Sequence, residues 1–243
     1  MEEIKSNARR FITAYNTVDQ TLRALYDLKR SLSFSDVIRK CVASNFIVRK
    51  YEDALIDYGR LRNAIIHKSS EDYIIAEPHD DVVEEFEKIA RLISTPPTAL
   101  QYLGKEEVTI IDSNANLLDA IYLMSGKNFS NLPVYEGNKL VGVLKGQRVV
   151  DFLGDVLSSC NITADKLIKT TKVGEVVESV KIPYNYFTIM PEKATIAEVL
   201  DAFNYNRKLV VVIITKNGTD NELPLSIITA GDIIEFNKVI DNY

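Results

Sequence analysis

The feature that most constrains the fold is a repeat in the second half of the chain. Residues 108–112 (VTIID) form an apolar, β-branched run that leads to a helical pattern at 117–121 (LLDAI). Residues 187–191 (FTIMP) lead at the same spacing to a second helical pattern at 196–200 (IAEVL). β-branched runs favour strands, and apolar residues spaced three and four apart favour helices. Because similarity at a fixed period indicates repeated structural units, we expect two copies of one α/β unit.

Each copy continues with two further strands and a closing helix. In the first copy, strands are predicted at residues 131–135 and 139–144, followed by a helix from 147 to 153. In the second copy, strands are predicted at residues 208–212 and 225–228. The predicted order of both copies is therefore strand, helix, strand, strand, helix.

The second copy ends in residues 225–234 (LSIITAGDII), where a buried strand gives way to a helix. Thr229 is the predicted N-cap of that helix, and Asp232 follows at the spacing of a capping box. The first turn of a helix carries unpaired N–H groups and the positive end of its dipole. A carboxylate beside them can accept hydrogen bonds from both hydroxyls of a ribose. Two interpretations stay open: Asp232 binds a sugar, or it only caps the helix.

These strands and this turn resemble the CBS domain, and the resemblance covers residues 96–243. In that family two repeats form a Bateman module, which binds adenine nucleotides in a cleft between the repeats. The family's Thr/Ser-x-x-Asp motif falls on Thr229 and Asp232, so the resemblance implies a nucleotide at the second repeat. The first repeat has Lys145 and Arg148 at the equivalent positions. Since a cation cannot take the role of the carboxylate, that site is either degenerate or faces phosphates.

The expected ligand is a regulatory adenine nucleotide such as AMP, ADP or ATP, and no further cofactor is expected. Arg207 and Lys208, just before a strand of the second repeat, face either the ligand's phosphates or only solvent. A metal site is not expected, because the chain has two histidines and its cysteines, Cys41 and Cys160, lie far apart.

Residues 1–95 are predicted to be helical throughout. Apolar residues recur at three-and-four spacing in the first helix, from Phe11 to Leu28, and Ser33 is the predicted N-cap of the second. The third helix is expected at about 46–67 and the fourth at about 82–93.

A stiff break at residues 95–98 (TPPT) separates this helical region from the repeats. The predicted domains are a helical bundle, a first CBS repeat and a second CBS repeat, at residues 1–95, 96–160 and 161–243.

The end of the predicted third helix, residues 61–67 (LRNAIIH), resembles the Arg-polar-x-x-x-His motif of HEPN domains. That family of helical bundles includes metal-independent ribonucleases and non-catalytic relatives, and its members commonly dimerise. The resemblance covers about residues 6–95 and implies Arg62, Asn63 and His67 as catalytic residues that meet across a dimer. Histidine titrates in the range that proton transfer needs, and arginine matches phosphate oxygens.

Structural roles for the same residues stay open. His67 can favour the helix dipole, and Arg62 can pair with Asp57 or Glu52. Apolar residues flank the face that carries Asn63, which predicts that a second copy of the chain covers it as a homodimer.

Charge is unevenly distributed along the chain, whose net charge is −5. Residues 1–70 hold 13 basic and 8 acidic residues, a local excess of +5. This excess favours a polyanionic partner such as RNA, or is simply a solvated helical surface. No signal peptide or membrane span is predicted, so a cytoplasmic protein without a membrane partner is expected.

Together these features predict a multidomain α+β protein: an all-α, HEPN-like four-helix bundle followed by a tandem CBS-domain pair. The predicted function is regulatory, with nucleotide binding at Thr229 and Asp232 altering two helical domains in a dimer. In one form of this hypothesis the bundle is a metal-independent endoribonuclease. In the other it is a non-catalytic interaction module.

Overall fold

The computed structural model describes residues 6–66, 76–104, 107–179 and 186–243. The chain divides into two compact units. The helical unit comprises Met1–Thr98, Thr195–Ala202 and Ile234–Tyr243, and the α/β unit comprises Ala99–Ala194 and Phe203–Ile233.

The elements follow one another in the predicted order. The N-terminal helices are α1 (Asn7–Leu25), α2 (Phe34–Cys41), α3 (Phe46–Lys50), α4 (Glu52–Ile66) and α5 (Asp80–Ser94). The first copy of the repeat follows as α6 (Ala99–Leu103), β1 (Ile111–Asp112), α7 (Leu117–Lys127), β2 (Asn131–Glu136), β3 (Lys139–Lys145) and α8 (Gly146–Ser159). Two short helices come next, α9 (Ala164–Thr170) and α10 (Val173–Glu178). The second copy comprises β4 (Phe187–Pro191), α11 (Ile196–Tyr205), β5 (Val211–Thr215), β6 (Ser226–Thr229), a 3-10 turn (Ala230–Asp232) and α12 (Ile233–Asn242).

Short polar side chains begin the N-terminal helices. The side chain of Ser6 accepts a hydrogen bond at the start of α1, and that of Asn45 does the same for α3. The Oγ of Ser33 accepts from the N–H of Asp36 at 3.2 Å, which confirms the cap predicted for α2. Each cap satisfies an N–H that would otherwise lack a partner in the first turn.

The predicted third helix, about 46–67, is not continuous. Tyr51 interrupts it with φ −114° and ψ 24°, so α3 ends and α4 begins there. Two basic residues end α3 and two acidic residues begin α4, which suits the dipoles of two separate helices. The end of this prediction, His67, lies outside the described residues.

Aromatic side chains from three helices form the centre of the bundle. The ring centroids of Phe11 and Phe86 are 4.8 Å apart, and those of Tyr58 and Phe86 are 4.6 Å apart. The hydroxyl of Tyr58 donates to Oε2 of Glu85 at 2.5 Å, which satisfies its polar end. Burial beside this carboxylate raises the pKa of Tyr58.

The predicted apolar stripe of α1 is only partly correct. Phe11 and Leu22 are fully buried, but Leu25 is 61% exposed because α1 ends there, and Leu28 lies beyond the helix. Ala64, which the pattern places in the core face of α4, is exposed.

The α/β unit contains two three-stranded sheets with identical pairing. In the first sheet β1 is parallel to β2, and β2 is antiparallel to β3. In the second, β4 is parallel to β5, and β5 is antiparallel to β6. With the helices between them, these strands confirm the predicted strand, helix, strand, strand, helix order in both copies.

An apolar layer joins the sheets of the two copies. Tyr135, Leu140 and Val143 of the first copy pack in one buried cluster with Val211 and Ile213 of the second. This packing brings the end of β6 to the same side of the unit as the segments before β1 and β2, and so forms the cleft described below.

The helical unit includes helix α12, whose sequence directly follows the predicted ligand motif. Its side chains Phe236 and Ile240 are fully buried. The Nζ of Lys50 lies 2.6 Å from Oδ1 of Asp241, and the hydroxyl of Tyr243 donates to the carbonyl of Thr95 at 2.8 Å. The second half of α12 is therefore held by residues of the N-terminal helices.

No helix among the described residues is long and apolar enough to cross a membrane.

Candidate functional site

A cleft of about 590 Å³ opens between the two copies of the repeat in the α/β unit. The first copy contributes residues 107–109 and 128–131 to its walls. The second contributes Val210, Ser226, Ile227 and residues 229–231. Its volume falls in the range of roughly 300–1,000 Å³ that is typical of small-molecule sites.

The end of helix α7 shapes the first wall. Asn128 has φ 56°, in the left-handed region that often ends a helix, and the N–H of Phe129 donates to the carbonyl of Met124 at 2.8 Å. This turn leaves the ring of Phe129 at the cleft, 40% exposed. A partly exposed ring on a cleft wall offers a flat apolar surface for a planar ligand group.

A cation lies beside that ring. The Nζ of Lys127 donates to Oγ1 of Thr109 at 2.9 Å and lies 5.9 Å from the centroid of the Phe129 ring. Thr109 lines the cleft, so this hydrogen bond keeps the ammonium group next to it.

The second wall ends in the turn between β6 and α12. Oδ2 of Asp232 accepts from the N–H of Thr229 at 2.7 Å and from its hydroxyl at 3.0 Å. The side chain of Thr229 also accepts from the N–H of Asp232, so the predicted capping box is confirmed. Among the described residues, no donor reaches Oδ1 of Asp232. The carboxylate is therefore fixed through one oxygen and keeps the other for a further donor.

The four residues predicted to bind the ligand differ in their position relative to the cleft. Thr229 lines the cleft, whereas Asp232 is not among the residues that line it and directly follows Gly231, which is. Arg207 and Lys208 are exposed in the turn before β5 and are not among the residues that line the cleft.

The equivalent turn of the first copy carries the predicted pair of cations. Lys145 ends β3 and is the N-cap residue of α8, and Arg148 lies in the first turn of that helix. These are the positions that Thr229 and Asp232 hold in the second copy.

The predicted catalytic residues of the helical unit are only partly described. The guanidinium of Arg62 lies 5.1 Å from the centroid of the Tyr15 ring, and its Nη1 donates to Oδ1 of Asn63 at 3.4 Å. The Nε of Arg62 is buried, with no hydrogen-bond partner among the described residues. His67 lies outside those residues, so its distance from Arg62 stays untested.

The alternative pairing of Arg62 with Asp57 is wrong. Oδ1 of Asp57 accepts from Nη1 of Arg60 at 2.8 Å instead, one turn along the exposed face of α4. Arg62 follows Asp57 by five residues and therefore lies on a different face of the helix, where its guanidinium faces the ring of Tyr15.

Sequence reasoning missed the residues of the first wall. Thr109 lies before β1, whereas Lys127 and Phe129 lie at the far end of α7, and only the packed fold brings them together. The available signal was a Lys-Asn-Phe stretch at a helix end, since asparagine is common where a helix stops in the left-handed conformation.

No group of three histidine, cysteine, aspartate or glutamate side chains within the described part of the chain could hold a metal ion.

Two α/β copies with the same strand pairing are joined through their sheets around a cleft. Residues 103–155 match the family model of the CBS domain, and the chain therefore contains a CBS domain. The match spans the first copy from α6 into α8. No curated protein matches the chain.

Solved structures of CBS-domain and other proteins are similar to part of this chain at low sequence identity. The CBS domain of a bacterial CNNM/CorC family Mg²⁺ transporter, in complex with ATP, is 22% identical, covers 63% of this chain and 94% of its own, and has a TM-score of 0.42. A CBS domain-containing protein of unknown function from Kribbella flavida is 22% identical, with coverage of 55% and 94% and a TM-score of 0.44. The acetoin utilization protein AcuB from Vibrio cholerae is 15% identical, with coverage of 57% and 88% and a TM-score of 0.42.

Proposed function

We propose that this protein is a ligand sensor that binds an adenine nucleotide in the cleft between its repeats and relays occupancy to its helical unit. The observation that carries the proposal is the geometry of Asp232. Its Oδ2 is held by Thr229 at 2.7 and 3.0 Å, which leaves Oδ1 for a ribose hydroxyl beside the first turn of a helix. A charge-assisted hydrogen bond of this kind is stronger than one between neutral groups.

The two walls of the cleft suit the parts of a nucleotide. The ring of Phe129 offers a stacking surface for the base, and Asp232, the residue after the second wall ends at Gly231, is proposed to bind the sugar. The ammonium of Lys127, beside the cleft, can approach the phosphates. In this proposal Arg207 and Lys208, both exposed before β5, also move toward the phosphates when ligand binds.

The second copy is proposed to be a second CBS repeat, so that the two copies form a Bateman module. Its support is the strand pairing, parallel and then antiparallel, which is the same as in the first copy. The proposed domains keep the boundaries 1–95, 96–160 and 161–243.

Chain continuity provides the relay. Helix α12 begins directly after Asp232, and from Ile234 onward it belongs to the helical unit. A ligand that favours one position of the 229–232 turn therefore acts on the first turn of a helix whose last turn is bound to Lys50. Such a ligand changes the arrangement of the helical unit only to the extent that its affinity differs between the two arrangements.

The helical unit is proposed to act as a HEPN-like homodimer, either as a ribonuclease or as a non-catalytic interaction module. Arg62 favours the first candidate, because its Nε is buried without a partner in the described residues and its Nη1 contacts Asn63. In that candidate Arg62 and Asn63 hold the phosphate of RNA, and His67 transfers the proton.

Calorimetric titration of the full chain with AMP, ADP, ATP and S-adenosyl methionine tests the nucleotide proposal. We expect saturable binding of at least one adenine compound and weaker binding of inosine, which lacks both the amino group and the phosphates. A flat response to all adenine compounds would leave Asp232 with its helix-capping role alone.

Incubation of the protein with bulk RNA in EDTA separates the two candidates for the helical unit. The ribonuclease candidate predicts fragments that disappear with His67→Ala and with Arg62→Gln. Intact RNA with the wild-type chain, with and without the adenine compound that binds, would support the non-catalytic module.

A further inference from the structure

A second cavity, of about 320 Å³, lies in the helical unit, and all of its described lining residues belong to that unit. The ends of α1 and α5 and the starts of α3 and α11 form its walls. The buried side chains of Ile47, Leu92 and Ile93 make part of the lining apolar, and the rings of Tyr26 and Phe46 also line it. Such a lining suits a small molecule with an apolar body.

The polar part of this lining carries negative charge. Glu198 and Asp201 are its charged side chains, and no lysine, arginine or histidine is among the lining residues that the structure describes. Two helices end and two begin at the cavity, so the dipoles of their ends largely offset one another. The two carboxylates therefore decide the sign of the potential, and this sign favours a cation.

Only Asp201, of these two carboxylates, has a cationic partner in the described parts of the chain. Nη2 of Arg49 contacts Oδ1 of Asp201. Oε2 of Glu198 accepts from the N–H and the hydroxyl of Thr195, at 2.8 and 3.0 Å, in the cap of α11. No donor within residues 6–66, 76–104, 107–179 and 186–243 reaches its Oε1. Glu198 is thus held in place through one oxygen and keeps the other for a ligand.

Two buried groups beside the cavity are affected by this charge. Burial raises the pKa of Asp201, Arg49 opposes the shift, and the charge of Glu198 adds to it. Burial also raises the pKa of the Tyr26 hydroxyl, and both carboxylates add to that shift. The three groups therefore lie around one space, and a cation in it would reduce the repulsion between the carboxylates.

We propose that this cavity binds an organic monoamine, whose ammonium group pairs with Glu198 and whose apolar body packs against Phe46 and Ile47. One carboxylate without a cationic partner matches one positive charge. The aromatic lining suits the same ligand, because a cation is attracted to the face of an aromatic ring. This inference goes beyond the proposed nucleotide sensor and does not depend on it.

The lining disfavours two other ligands that contain a positive charge. A metal ion needs several oxygen or nitrogen ligands, and the described part of the chain contains no group of three side chains that could hold one. An amino acid would bring its own carboxylate next to Glu198 and Asp201, where the described lining offers it no cation.

The test is calorimetric titration of the full chain with phenethylamine and with phenylalanine, which has the same body and adds a carboxylate. Glu198→Gln removes the charge and keeps a side chain that can cap α11. Glu175→Gln is the matched control, because Glu175 is exposed and holds the same third position in α10. Ala197→Leu fills the cavity without a change of charge. Thermal unfolding of every variant verifies that it is folded.

We expect phenethylamine to bind about tenfold more weakly to Glu198→Gln than to wild type, as for the loss of a charge-assisted hydrogen bond. Ala197→Leu also binds it more weakly, Glu175→Gln binds it as wild type does, and phenylalanine binds wild type more weakly than phenethylamine does. Three results would each overturn the proposal: equal affinity of Glu198→Gln and Glu175→Gln, equal affinity for the amine and the amino acid, or no binding of millimolar phenethylamine to the folded wild-type chain.

Phe129→Ala separates this cavity from the nucleotide cleft, where an aromatic amine can also stack. The proposal predicts that this variant binds phenethylamine as wild type does. A loss of phenethylamine affinity in Phe129→Ala would place the amine in the cleft and contradict the inference. Binding of phenethylamine, sensitive to Glu198→Gln, by a chain that ignores all adenine compounds would support this site and refute the nucleotide cleft.

Discussion

The ammonium of Lys50 in α3 lies 2.6 Å from the carboxylate of Asp241 in the last turn of α12. The Nζ of Lys88 donates to the main-chain carbonyl of the same aspartate, also at 2.6 Å. The N-terminal helices therefore bind the end of a helix that begins directly after Asp232. This contact is the mechanical basis of the proposed relay.

Asp241→Ala is predicted to keep ligand binding and to weaken the relay to the helical unit. The pair is partly exposed, so its loss costs only about 0.5 kcal/mol of the free energy of unfolding. The affinity for the adenine compound stays unchanged, because Asp241 lies at the opposite end of α12 from the binding turn. The protection of α5 amides that ligand produces in hydrogen exchange is expected to decrease.

Lys238→Ala is the matched control, since Lys238 forms an exposed ion pair with Glu235 on the same helix, at 2.6 Å. Equal ligand-induced protection in wild type and in Asp241→Ala would contradict a relay through α12.

A second ion pair connects α3 to helix α11 of the second copy. Arg49 and Asp201 form a short contact in which the side chains are 31% and 16% exposed. Burial raises the pKa of Asp201 although Arg49 opposes the shift, so the carboxylate depends on this partner. Arg49→Ala removes its charged partner and is predicted to lower the free energy of unfolding by about 2 kcal/mol, as for a hydrogen bond to a charged group.

Urea denaturation measures this loss. Arg60→Ala, which breaks an ion pair whose side chains are 75% and 67% exposed, is expected to change stability by less than about 0.5 kcal/mol. Similar small losses in both variants would show that the half-buried pair of Arg49 and Asp201 contributes no more than a surface pair.

The fold of the second half could be predicted from the sequence because each strand and helix has its pattern within a short stretch of residues. The strand runs and helical patterns recur at the same spacing, and the structure places a strand or helix at each. The break of the third helix at Tyr51 was missed, because apolar periodicity continues across it and only the charges on either side indicate two helix ends.

The candidate site could be predicted only in part. Thr229 and Asp232 were found because their spacing is local, within one turn. Phe129 was not, since its ring lines a cleft that forms only when the two sheets pack together.

Phe129→Ala is predicted to weaken the binding of the adenine compound about tenfold. Stacking of a base on an aromatic ring contributes about 1–3 kcal/mol, and the ring is 40% exposed, so its loss disturbs the core little. Calorimetry measures the affinity, and Tyr122→Ala, which removes a ring 68% exposed on α7, is the control. An unchanged affinity would place the base elsewhere.

A carboxylate in the loop between β5 and β6 makes the free energy of unfolding depend on pH in the acidic range. Hydrogen bonds from the main-chain N–H and the side chain of Asn217 lower the pKa of Glu222 to about 2. The pKa of Glu222 in the folded protein lies below the ordinary value of 4.5. The contribution of this carboxylate to stability is therefore complete above pH 4.5 and is lost as the pH falls toward 2.

Glu222→Gln is therefore predicted to flatten the fall of the urea midpoint between about pH 4.5 and pH 2. Glu178→Gln, an exposed glutamate of the same unit, should retain the wild-type slope. If both variants have that slope, Glu222 is not the group responsible.

The most direct test of the central claim is the affinity of Asp232→Asn for the adenine compound that binds wild type. The substitution keeps the shape of the side chain and removes its charge. We use Asp36→Asn as the control, because Asp36 and Ser33 form a similar cap in the helical unit, with a hydrogen bond of 2.6 Å. Thermal unfolding verifies that both variants are folded.

The account predicts that Asp232→Asn binds the adenine compound roughly 30-fold more weakly than wild type does. This loss corresponds to about 2 kcal/mol of charge-assisted hydrogen bonding to a ribose. Asp36→Asn is predicted to bind the compound as wild type does. Equal affinity of wild type and Asp232→Asn would contradict the claim and leave this carboxylate as a helix cap.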